Sequence, residues 1–180
     1  MKYGSSLYAL LAAMPLLATG TARANDDSTA PIGIFAVACV DLLDKPDTFV
    51  EVMSNRGDRV QDPEAREFLR DKQGKAWLVS FEGIPYGFSW ADDGTCRVTI
   101  MSGEPKELAN EFGTLGRMAP VGYTSTMDLT SIDERGWMVH SYTWRGNGED
   151  RAIQMRLSLN PKAGTGLRGN VSARYVAAPR

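Results

Sequence analysis

One histidine, His140, two cysteines, Cys39 and Cys96, and a scatter of carboxylates set the chemical repertoire of this 180-residue chain. A zinc site would have to be built from carboxylates and the two cysteines, because only one imidazole exists to join them. A Ser-His-Asp triad can be composed from the residue types, but no G-x-S-x-G elbow presents a serine. His140, between Val139 and Ser141 in an alternating stretch, reads as a structural or surface histidine.

The run Gly164-Thr165-Gly166-Leu167-Arg168-Gly169 has the G-x-G-x-x-G spacing of dinucleotide sites. That fingerprint needs a strand before it and a helix after it. Here Asn160-Pro161 ends a strand and Asn170 onward reads as another, so a loop is expected and no cofactor is assigned. Asp92, Asp93, Asp133, Glu134, Glu149 and Asp150 lie nearest to loops and could supply a hydrolytic pair. Such a pair needs one carboxyl in an apolar pocket and a second about 5 to 9 Å away. Asp92 and Asp93 also suit the turn in which they stand. Asn170-Val171-Ser172 matches a glycosylation sequon. No catalytic, metal-binding or cofactor-binding residue is assigned.

Aromatic residues are the other resource. Trp137 and Trp144 are an odd number of residues apart in a strand-like segment, so they point to opposite faces. Met138, Tyr142 and Trp144 share one face. Unless helices cover both faces of the sheet, some of these stand open, and exposed aromatics with methionine mark recognition surfaces. Met138, Tyr142 and Trp144, with Trp137 opposite, form the expected recognition surface.

Export sets the context in which such a surface would work. Lys2 opens a basic start, Leu7 to Ala18 is apolar apart from Pro15, and Ala22-Arg23-Ala24 offers the small-x-small site of a signal peptide. Residues 1–24 are expected to be cleaved, leaving residues 25–180 as one domain. Lys2 and Arg23 leave with the signal and no acid does, so the net charge moves from −2 to −4. That balance argues against nucleic acid or anionic lipid as an obligate partner. No later segment is long and apolar enough to span a bilayer. A soluble periplasmic or secreted product is expected.

Cys39 falls among Ile32, Phe35, Ala36, Leu42 and Leu43, a three-and-four spacing that makes one helix face. Cys96 lies on the apolar face of a hairpin, and an oxidising compartment should bridge the two. The bridge staples the first helix to the sheet.

The elements that must position these residues follow from periodicity. Lys75 to Met101 holds three strand signals: Trp77, Val79 and Phe81; Tyr86, Phe88 and Trp90; Cys96, Val98 and Ile100. Between the last two, a three-residue loop pairs Trp90 with Cys96 and keeps both apolar sets on one face, which a two-residue turn does not. Gly94 then takes the left-handed position. Asp62-Pro63-Glu64 predicts a helix start with Asp62 as cap, closing at Gly74. Glu104-Pro105 starts another helix, which Gly113 weakens and Gly116 stops. Four strands follow, from Val121, Trp137, Ile153 and Val171.

Short links favour antiparallel pairing. The expected fold is α+β, a single domain with one twisted antiparallel sheet of six to seven strands, helices mainly on one face and one disulfide. The leading functional expectation is a non-catalytic exported protein that binds another macromolecule, such as an envelope protein, in the manner of an inhibitor, an immunity protein or an assembly accessory. Hydrolysis of an envelope polymer by loop carboxylates and carriage of a small apolar ligand are the alternatives.

Overall fold

The computed structural model describes residues 30–162 and 167–178. The expected signal peptide and Gly164 to Gly166 of the glycine-rich run lie outside these residues. Helix α1 (Ala30–Phe35) continues as a π-helical segment, Ala36–Val40, and α2 (Pro46–Arg56) follows. Then come β1 (Asp58–Val60), α3 (Ala65–Leu69), β2 (Gly74–Phe81), β3 (Ile84–Ala91) and β4 (Cys96–Ile100). After α4 (Pro105–Arg117) the chain forms β5 (Tyr123–Ile132), β6 (Met138–Gly146), β7 (Arg151–Leu159) and β8 (Gly169–Ala177).

All eight strands join one antiparallel sheet in the order β1-β2-β3-β4-β8-β7-β6-β5. It is two four-strand meanders placed side by side, with β8 returning to pair β4. The sheet has eight strands where six to seven were expected. The additional one is β1, only three residues long, whose Asp58 and Arg59 are exposed. Three residues do not establish a period of two, so Arg56-Gly57-Asp58 reads as a helix end in sequence.

One face of the sheet carries the main core. Phe35, Phe49, Leu108 and Phe112 from the helices meet Phe88, Val98, Leu157 and Val171 from the strands, all fully buried. Cys39 and Cys96 are bridged within it, with their Cα atoms 5.4 Å apart. The hairpin register is the one that burial selects: Trp90 faces Cys96 and Phe88 faces Val98. Ala91 N donates to Thr95 O, leaving a three-residue connection in which Gly94 has φ 78°.

Two departures from expectation are informative. Helix α3 begins at Ala65, two residues beyond Pro63, and Asp62 does not cap it; Arg70 and Asp71 already adopt left-handed backbone angles, so it ends at Leu69. It is also the helix that lies on the second face, where Phe68 covers Gly87: a Cβ there would stand 2.2 Å from the Phe68 ring. The other departure is α4, which runs through Gly113 to Arg117. Its glycines are its packing surface, since a Cβ on Gly116 would stand 2.4 Å from the Tyr142 ring.

Candidate anion-binding site

Strands β4, β8 and β7 are neighbours near the middle of the sheet, and their register fixes which polar side chains stand together on the face away from α1 and α4. Arg97 faces Ser172, and Ser172 faces Arg156. One pleat along, Thr99 faces Asn170, and Asn170 faces Ser158. One pleat the other way, Arg174 faces Gln154 and donates to its Oε1 from Nε at 3.3 Å and Nη2 at 3.1 Å. The period of two that sends Val98, Leu157 and Val171 into the core sends every one of these outward.

Arg97 is the deepest of the cations, 8 % exposed. Its Nη1 donates to the backbone carbonyl of Phe68 at 3.1 Å, and Ser89 Oγ donates to the same oxygen at 3.0 Å. Burial lowers the Arg97 pKa, with Asp93 acting in the opposite direction. An arginine starts so far above neutrality that it keeps its charge.

Three further cations reach the rim from loops. Arg70, just past α3, and Arg135, in the β5–β6 turn, place their guanidiniums 5.3 and 4.8 Å from the centroid of the Trp137 indole. Cation–π attraction gathers arginines from both meanders at one end of the site. Lys72 is the third; it donates to Asp93 and to Thr95 Oγ1. Desolvation opposes the ionisation of Asp93, but hydrogen bonds from Lys72 and Thr95 outweigh it and take the carboxyl down to about 2.

Together these residues enclose a hollow of about 290 Å³ lined by six cationic side chains, Arg70, Lys72, Arg97, Arg135, Arg156 and Arg174. Among the described residues that line it there is no carboxylate. Arg97 Nε and Asn170 Nδ2 are buried in it without a hydrogen-bond partner among the described residues. A larger hollow of about 430 Å³ beside α3 has mixed charge, with Asp62 and Asp71 among Arg59, Arg66 and Lys75. It has no comparable concentration of one sign.

The four residues of the expected recognition surface do not come together. Tyr142 and Trp144 are 3 % exposed beneath α4, where Trp144 Nε1 donates to Gly116 O at 2.6 Å and the Phe112 ring meets Tyr142 edge-on. They cannot be offered to a partner, because Gly113 and Gly116 let the helix close on them. Met138 lies half-buried with His140 in a separate hollow that Pro105 and Ala109 of α4 also line. Trp137 alone borders the open face, as the platform for Arg70 and Arg135.

His140 is half-buried; burial lowers its pKa, and its Nε2 has no partner among the described residues. Three of the six loop carboxylates, Asp93, Asp133 and Glu149, are engaged by local hydrogen bonds. Asp133 accepts from the backbone N–H groups of Arg135 and Trp137 and from Arg135 Nη2, each at 3.0 Å. Glu149 accepts from Tyr123 at 3.0 Å. Asn170 of the sequon is 8 % exposed in β8.

Sequence reasoning missed Arg97, Arg156 and Arg174, and read Asn170 and Ser172 only as part of a sequon. The signal was present in the polar positions that alternate with the apolar ones, but joining them requires knowing that β8 lies between β4 and β7. The net charge of the whole sequence, −2, is a sum over all residues and carries no sign of a local cluster of cations. The chain matches no protein-family model, no curated protein and no solved structure.

Proposed function

We propose that this is an exported, non-catalytic binding protein that takes an acidic group of another envelope macromolecule into the basic hollow on its open sheet face. One observation carries the reading: six cations converge on a concave site without a lining carboxylate, in a chain with more acids than bases. Lys72 and Arg135 are paired with Asp93 and Asp133 outside the lining, which leaves Arg70, Arg97, Arg156 and Arg174 without an ion pair among the described residues. Like charges repel one another, and an anion relieves that repulsion. Export is supported by the signal-like residues 1–24 and by the Cys39–Cys96 bridge, which persists in oxidising compartments. Among the described residues no helix is long and apolar enough to cross a membrane.

Titration with poly-L-glutamate, a flexible polyanion, tests this directly. Binding is expected to weaken by about tenfold or more between about 50 and about 200 mM salt, because added salt screens the attraction and makes the release of counterions on association less favourable. Affinity that is absent at low salt, or that ignores salt, overturns the proposal.

A further inference from the structure

We propose that the floor of the basic hollow, formed by Arg97, Asn170, Ser172 and Ser158, is a subsite for the terminal group of a phosphate monoester. This rests on the reading of the open face as an acceptor of acidic groups and names the group it accepts.

Arg97 and Asn170 are each 8 % exposed, and Arg97 Nε and Asn170 Nδ2 are donors without a partner among the described residues. Folded chains rarely leave buried donors unmatched, and two within one pocket point to a ligand acceptor. The pair are diagonal neighbours on adjacent strands, Arg97 opposite Ser172 and Asn170 opposite Thr99, within reach of one compact group. Arg97 is held in place, because its Nη1 is tied to the Phe68 carbonyl. Ser158 and Ser172 add hydroxyls beside them, and Arg156 and Arg174 flank the floor.

The donors and the charge select among anions. A carboxylate offers two oxygens and one charge, whereas a phosphate monoester offers three terminal oxygens and nearly two charges near neutral pH. Arginine forks fit phosphate oxygens in pairs. A hollow of about 290 Å³ admits a phosphorylated sugar-sized group.

Calorimetry with three matched probes, glucose 6-phosphate, glucose 6-sulfate and glucuronate, tests the assignment. At pH about 7.5 the phosphate is expected to bind about tenfold or more tighter than either of the others. Its affinity should fall by about tenfold on going to pH about 5, as the second ionisation near 6 returns a proton to the probe. The side chains facing the floor do not account for such a change. The six cations are arginine and lysine, Asp93 is held near 2, and Asp133 is not among the lining residues. Asn170→Asp keeps the side-chain volume but puts a carboxylate at the floor, and should weaken glucose 6-phosphate by about tenfold or more. Arg97→Lys keeps the charge but removes Nε and the fork, and serves as the second variant should the first not fold.

Equal affinity for the three probes, or phosphate binding untouched by both variants, overturns the subsite. Salt-dependent binding of poly-L-glutamate without binding of glucose 6-phosphate overturns the subsite alone; failure of both probes overturns the broader reading as well. Competition by vesicles containing phosphatidic acid separates the sources: displacement of the sugar phosphate assigns a lipid headgroup, and its absence assigns a glycan or a soluble ester.

Discussion

Replacing Cys39 and Cys96 together by alanine should lower the free energy of unfolding by about 4 kcal/mol, measured by urea denaturation against the oxidised protein. The two positions are 57 residues apart, and closing a loop of that size removes about this much chain entropy from the unfolded ensemble. The loss is large against a total stability of roughly 5–15 kcal/mol for a single domain. The bridge lies on the core face of β4, whereas Arg97, the next residue, points to the opposite face. Under conditions where the double variant remains folded, its affinity for poly-L-glutamate should therefore stay within about threefold of the parent. A stability loss below about 1 kcal/mol would show that the bridge adds no constraint beyond that of the packed core around it.

Reversing two charges separates binding from folding in the other direction. Arg156→Glu combined with Arg174→Glu should weaken poly-L-glutamate binding by about a hundredfold or more, because two attractions are replaced by two repulsions at the ligand. Both side chains are exposed, so stability should change by no more than about 1 kcal/mol. Exposed arginines at Arg66 and Arg59, reversed as a control, lie beside α3 in the mixed-charge hollow and should leave affinity nearly unchanged. Equal losses from both pairs would mean that the chain attracts anions by overall charge and has no localised site.

Much of the fold was legible because each long strand carries its own period. Trp77-Val79-Phe81 and Ile153-Met155-Leu157-Leu159 declare a buried face without help from their neighbours, and burial of the apolar sets chose the Asp92-Asp93-Gly94 connection. The Cys39–Cys96 bridge followed from the same faces. Glycines were harder to read. Gly116 looks like a helix stop in sequence, and only the approach of Tyr142 reveals it as a contact. With Gly113 it lets α4 close on Tyr142 and Trp144, the covering by a helix that the sequence left open.

The candidate site was illegible for a different reason. Arg97, Arg156 and Arg174 look like ordinary solvent-facing residues within their own strands, since polar residues on an open face are what alternation predicts. They become a site only when β8 returns to sit between β4 and β7, a pairing of distant segments that periodicity does not encode. Trp137, expected on the face opposite Trp144, stands at the rim of the hollow with the guanidiniums of Arg70 and Arg135 over its ring.

Mapping of backbone amide shifts during titration with poly-L-glutamate tests the central claim most directly. The largest changes should fall on β4, β8 and β7 around Arg97, Asn170, Ser172 and Arg156, with smaller ones at Trp137 and Arg70. Changes centred on α4, or on β5 with its exposed Met127 and Leu129, would place recognition elsewhere and contradict the account.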